Sequence, residues 1–293
     1  MRKQTFYKIG SLKLKGRIFL APMHQVNDIA FRLLCKKAGA SLTYTGLTNP
    51  QTKEKLFLDD KPALQFACNS TKGLKEFIKK HDKNISLYDF NLGCPSPHAK
   101  SSKVGYFMID NTKTIEDILK TIKENTKKPL TIKIRIVNDK TLLQILRIAE
   151  KYCDALGVHP RTQPQGYSGE PDLNFARKVK HLTKLPIIYS GNINSLEQAQ
   201  KMLKEFDFIM IGRASLGNPG IFSELTNTKM KRVSFQDWLK LAKNKKYNLS
   251  DSQIKFQALN FTRDFNGAAK TRNIIANTKD TKEIIDLMEQ IKT

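Results

Sequence analysis

Short apolar runs alternate with longer amphipathic ones along most of this chain. The apolar runs fall at 17–21, 41–45, 63–67, 86–90, 130–135, 155–159, 186–190 and 207–211. Most are followed by a stretch whose apolar positions recur at helical spacing, at 28–38, 73–81, 114–127, 141–152, 172–181 and 195–204. Strands alternating with helices mean βαβ units and a parallel sheet. Eight such units in roughly 220 residues predict a (β/α)8 TIM barrel. A doubly wound sheet is the alternative, but it has fewer strands and a Gly-rich first turn. The first turn here reads Ala21-Pro22-Met23-His24. Beyond Gly220 the rhythm changes. The stretches 234–246, 250–265, 268–276 and 281–292 read as helices only, with Asn266-Gly267 breaking the second from the third. The expected organisation is a barrel domain over 1–225 and a small all-helical domain over 226–293.

Composition narrows the classes. Hydrophobic residues make up 40% of the 293, enough for a sizeable core. No apolar run approaches the roughly 18 residues of a membrane span, and the Met1-Arg2-Lys3-Gln4 start leads into an amphipathic segment rather than a signal-like apolar block. Cys35, Cys68, Cys94 and Cys153 lie far apart without a CxxC pair, so neither a metal site nor a disulfide framework is expected. A reducing, cytoplasmic setting follows. The net charge is +24, from 51 Lys+Arg against 27 Asp+Glu. That excess points to a polyanionic partner, nucleic acid first and an acidic membrane surface second. A generally lysine-rich source is the bland alternative.

The predicted strand ends concentrate the chemistry. Asn91-Leu92-Gly93-Cys94-Pro95 puts a thiol on the turn leaving the fourth strand, where barrels collect catalytic groups. Burial as packing is the competing explanation for a free cysteine. The long stretch from Gly93 to Asp110 adds a loop of functional length. The seventh strand ends in Ser190-Gly191-Asn192 and the eighth in Gly212-Arg213, the two turns where barrels hold a phosphate. Glycine lets backbone N–H groups approach an anion, and arginine adds a bidentate donor. Lys133 and Arg135 share a side of the fifth strand by alternation. His159 and Arg161 follow the sixth, and Gln65 interrupts an apolar third strand. A lysine, a glutamine and a histidine beside a phosphate subsite suit flavin mononucleotide, whose ring needs donors, acceptors and a cation near N1.

The chain resembles the tRNA-dihydrouridine synthases over nearly its whole length. The resemblance lies in Leu20-Ala21-Pro22-Met23 with Asp28 and Phe31-Arg32, Leu64-Gln65-Phe66, the Asn-Leu-Gly-Cys-Pro element and Thr131-Ile132-Lys133-Ile134-Arg135. It continues through His159-Pro160-Arg161-Thr162 with Tyr167-Ser168-Gly169-Glu170, Ser190-Gly191-Asn192-Ile193, Ile211-Gly212-Arg213-Ala214, Phe265-Asn266-Gly267-Ala268-Ala269 and Arg272. It implies flavin mononucleotide bound by Pro22, Met23, Gln65, Lys133, His159, Ser190, Gly191, Asn192, Gly212 and Arg213. It further implies Cys94 as general acid and Asn91, Arg135 and Arg161 near the substrate uracil. NADPH (or NADH) would be the reductant and tRNA the substrate. No metal, membrane or obligatory protein partner is implied. The chemistry is coherent, because hydride added at C6 of a uracil conjugated to its C4 carbonyl leaves C5 in need of a proton, which a neutral thiol can supply. The base must leave its stack to be reached. An oxidoreductase acting on a small pyrimidine or enone is the alternative. His24-Gln25 after Met23 departs from the family's usual small pair, and His98 lies close enough in sequence to touch Cys94.

Overall fold

The computed structural model describes residues 6–52, 54–228, 233–247, 249–262 and 267–291. An antiparallel hairpin, β1 (Tyr7–Ile9) and β2 (Leu12–Leu14), precedes the parallel strands β3 (Ile18–Leu20), β4 (Ala63–Phe66), β5 (Leu87–Leu92), β6 (Leu130–Ile134), β7 (Ala155–Val158), β8 (Ile187–Ser190) and β9 (Phe208–Ile211). The sheet order is β3-β9-β8-β7-β6-β5-β4. The 41–45 run, expected as a full strand, instead makes single parallel bridges, Phe19↔Leu42 on one side and Tyr44↔Ala63 on the other. It thereby joins the two edge strands and closes the eight-stave barrel expected from the pattern.

Helices α1 (Ile29–Lys37), α2 (Leu74–His81), α3 (Pro97–Ser101), α4 (Thr112–Asn125), α5 (Asp139–Tyr152), α6 (Leu173–Leu182) and α7 (Leu196–Glu205) follow the strands. Except for α2, which starts after Gly73 without one, their starts are set by side-chain caps: Asp28, Ser96, Asn111, Asn138, Asp172 and Ser195 each accept a first-turn N–H. Each longer helix lays one apolar face on the sheet, as Ile115, Ile118, Leu119 and Ile122 do from α4. The hairpin, which the pattern showed only as an amphipathic segment, closes the barrel at the N-terminal ends of the strands. Its Ile9 and Leu14 pack with Phe19, Tyr44, Leu87 and Phe208. Burying each of those two side chains contributes about 1.5–3 kcal/mol.

The remaining helices are α8 (Ile221–Leu225), α9 (Phe235–Ala242), α10 (Asp251–Phe261), α11 (Ala268–Asn277) and α12 (Thr281–Gln290). The helix expected over 234–246 stops at Ala242 and continues as turns. Asn266, Phe265 and Lys292, parts of the expected helical tail, lie outside the described residues, as does Met1-Arg2-Lys3-Gln4. Gly267 begins α11 at φ 87°, a left-handed conformation that glycine takes without strain. The tail is joined to the barrel through one buried carboxylate. Asp28 caps α1 and also accepts from Trp238 Nε1 at 3.1 Å and Gln257 Nε2 at 2.6 Å. A single apolar cluster runs from the barrel helices into α9, α10 and α12.

Candidate active site

Strand register assembles the site. β4 and β5 pair Gln65 with Asp89, and β5 and β6 pair Asp89 with Thr131. Two residues further on, Asn91 lies opposite Lys133, and Lys133 opposite Gly157. Residues two apart on a strand share a face, so these polar groups form two layers inside the C-terminal mouth. Asp89 is buried and accepts from Gln65 Nε2 at 2.6 Å and Thr131 Oγ1 at 2.5 Å. Burial raises its pKa to about 6, against the pull of those two bonds and of Lys133. Gly157 leaves room for the lysine stem, since a Cβ there would stand 3.1 Å from Lys133 Cγ. Burial, then Arg135, lowers the Lys133 pKa to about 8, so its ammonium is the main form at neutral pH.

The thiol is held from three directions. Asn91 Oδ1 accepts the N–H groups of Gly93 (3.0 Å) and Cys94 (2.8 Å). The Cys94 carbonyl accepts from Tyr106 N at 3.1 Å, and a Cβ at Gly105 would come within 3.0 Å of Cys94 Cβ. Gly105 sits at φ 61°, so both its conformation and this close approach call for glycine. Sγ meets Ser96 Oγ at 3.4 Å, and the same hydroxyl oxygen caps α3 by accepting from Ala99 N. The expected long loop after Cys94 is therefore folded into α3 and a short 3-10 turn at Gly105–Met108. His98 is exposed on α3 and makes no hydrogen bond to the thiol. His24 is exposed as well.

A cationic rim faces this thiol loop. Arg135 is buried and donates to the carbonyls of Gly93 (2.8 Å), Thr162 (3.3 Å) and Gly166 (2.7 Å). Arg161, also buried, donates to Ser168 O, Gly169 O, Asn192 Oδ1 and His159 Nε2, the last at 2.9 Å. An arginine cannot accept, so His159 Nε2 is the acceptor and its proton sits on Nδ1. Burial first, then Lys133 and the three arginines, holds the imidazole neutral by pushing its pKa far down. Arg213 donates to Tyr167 O (2.9 Å) and Asn192 Oδ1 (2.7 Å). The Tyr167 ring, 61% exposed, lies 5.5 Å from the Arg135 guanidinium and 5.8 Å from that of Arg213. Such rings gain from a facing cation.

The structure brings the sequence candidates to one mouth, with different duties. Pro22 and Met23 leave β3 half-buried, and a Cβ on Gly212 would lie 3.9 Å from Met23 Sδ. Ser190, Gly191 and Asn192 leave β8 beside Gly212-Arg213 leaving β9. The N–H groups of Gly191, Asn192, Gly212 and Arg213 donate to no acceptor among the described residues. Gln65 lies a layer below the rim, committed to Asp89 and Asn91. Arg135 and Arg161, expected beside the uracil, have their guanidiniums bound to loop carbonyls. Asp89, Thr131 and Ser96 went unread in the sequence, although a carboxylate inside an apolar strand two residues before Asn91 is a usable signal. Among the described residues no cluster of His, Cys, Asp and Glu is placed to hold a metal ion.

A closed parallel barrel with a thiol and a cationic rim at its C-terminal mouth defines a TIM-barrel enzyme. Its solved relatives in shape include histamine dehydrogenase from Rhizobium sp. 4-9 (TM-score 0.59, 12% identity, 76% of this chain and 47% of that one). A variant of NCR from Zymomonas mobilis is another (TM-score 0.55, 12% identity, 86% and 98%). The chain belongs to the dihydrouridine synthase (Dus) family, whose model matches residues 19–292. It is 36% identical over 237 residues to tRNA-dihydrouridine synthase B of Pasteurella multocida, covering 73% of this chain and 70% of the relative. To the synthase B of Xanthomonas axonopodis it is 31% identical over 239 residues, covering 75% and 72%.

Proposed function

We propose that this protein is a tRNA-dihydrouridine synthase: it reduces the C5=C6 bond of a uridine in tRNA, with flavin mononucleotide as cofactor and NADPH or NADH as reductant. The observation that carries the reading is Cys94, half-exposed and held by Asn91 and Gly105 at the same mouth as Lys133. Leftover donors at that mouth match the cofactor. The Lys133 ammonium and the His159 Nδ1–H suit the acceptor edge of a flavin ring, and the free N–H groups at Gly191, Asn192, Gly212 and Arg213 suit its phosphate. When bound and reduced, the flavin supplies the hydride. Cys94 gives its S–H proton to C5 of the base. The hydroxyl of Ser96, free to rotate, then turns its hydrogen toward the thiolate sulfur. Arg135 and Arg161 fix the loops that bound the pocket, and Tyr167 offers an exposed ring for an extruded base to stack on.

The net charge of +24 favours tRNA over the small pyrimidine or enone alternative. We assign barrel chemistry to 1–225 and tRNA contact to the helical 226–293, where basic residues outnumber acidic ones two to one. Among the described residues no helix is long and apolar enough to cross a membrane, and a cytoplasmic setting suits a tRNA substrate. Purified protein is expected to be yellow and to release flavin mononucleotide on denaturation. A colourless protein that takes up none on reconstitution overturns the proposal.

A further inference from the structure

We infer that Asp89 is a positioning residue for the Cys94 thiol, acting through Gln65 and Asn91. The inference rests on Cys94 being the reacting thiol but concerns geometry that any thiol reagent can read. Amide groups are nearly symmetric in shape, so only their hydrogen-bond partners decide which way each one points. An ionised carboxylate can only accept. Asp89 therefore takes the Gln65 Nε2 hydrogen at 2.6 Å, which turns Gln65 Oε1 toward Asn91. Oε1 accepts from Asn91 Nδ2 at 2.9 Å. That in turn points Asn91 Oδ1 at the N–H groups of Gly93 and Cys94. The direction set at Asp89 is carried across two amides to the backbone of the thiol.

Without the acceptor at 89 the chain loses its sense. Gln65 is free to flip and present its NH2 to Asn91. Asn91 then flips and presents its NH2 to the Cys94 N–H, two donors facing each other. Buried donors without acceptors cost about 1–3 kcal/mol each, so the loop shifts to escape the conflict. The groups around Asp89 offer no substitute. Thr131, Lys133, Tyr44 and Cys153 surround the carboxylate, yet Gln65 Nε2 donates to Asp89 and to none of them.

Flavin-loaded protein, treated with iodoacetamide at pH 8, reads the thiol directly, because Cys35, Cys68 and Cys153 are buried. Asp89→Leu is expected to speed Cys94 alkylation by about fivefold or more, the equivalent of one lost hydrogen bond, and to lose most tRNA reduction. Asp89→Asn is expected to stay within about twofold in alkylation, because its Oδ1 still accepts from Gln65 and its NH2 can donate to the Thr131 hydroxyl. Should Asp89→Leu fail to fold, Gln65→Leu cuts the same chain and is expected to speed alkylation likewise. Wild-type alkylation in the leucine variant, or an asparagine variant as fast as the leucine one, overturns the inference. If the wild type reduces no tRNA while the alkylation pattern holds, the proposed function fails and the role of Asp89 stands.

Discussion

Replacing Cys94 by alanine is expected to lower tRNA uridine reduction by about 10²–10⁴-fold, the usual contribution of a positioned proton donor. Flavin and tRNA binding are expected to persist. The thiol packs in a small cluster with Ala67, Ala99 and Val104, so the truncation leaves little behind to collapse. Its backbone bonds to Asn91 and Tyr106 do not involve the side chain. Single-turnover reduction of tRNA by pre-reduced enzyme isolates the step. Cys94→Ser is expected to recover only part of the rate, because a hydroxyl is the weaker acid. Undiminished turnover in the alanine variant would remove the thiol from the chemistry.

Arg161→Ala is expected to be the most damaging substitution for stability among the rim residues. Arg161 is 1% exposed, and its guanidinium organises His159, Asn192 and the Ser168-Gly169 turn at once. Hydrogen bonds from a charged group contribute about 1.5–3 kcal/mol each, and their carbonyl partners would be left unpaired. A loss of about 3 kcal/mol or more predicts, for a chain of 293 residues, a melting temperature lower by about 5 °C or more. Flavin affinity is expected to fall as well, since His159 and Asn192 lose the donor that orients them. Lysine at 161 offers three rotatable donors in place of a planar fork, so it recovers little of the loss. Thermal unfolding with and without added flavin mononucleotide separates the two effects. An unchanged melting temperature would show that the loop turn stands without the arginine.

Periodicity made the barrel legible. The 130–135 and 155–159 runs are apolar enough, and their helices amphipathic enough, that their places in the fold could be read within a residue or two. The 41–45 run was legible as a stave but not as a bridge, since its pairing depends on how far the two edge strands diverge. Alternation also gave the shared face of Lys133 and Arg135, but not their separate fates. Whether a guanidinium meets a ligand or a carbonyl depends on loops returning from 162–169, and no local pattern encodes that. Asp89 was missed for a related reason. Its partners Gln65 and Thr131 come from neighbouring strands, and only the register places them side by side. Cys94 stood out because Asn91, Gly93 and Pro95 surround it in sequence, which is where its local geometry is built.

The most direct test of the central claim is to map dihydrouridine in tRNA from cells lacking this protein and from the same cells with it restored. Dihydrouridine is expected to disappear from at least one tRNA position in the deletion strain, to return with the wild-type chain and to stay absent with Cys94→Ala. An unchanged dihydrouridine map in the deletion strain would contradict that claim.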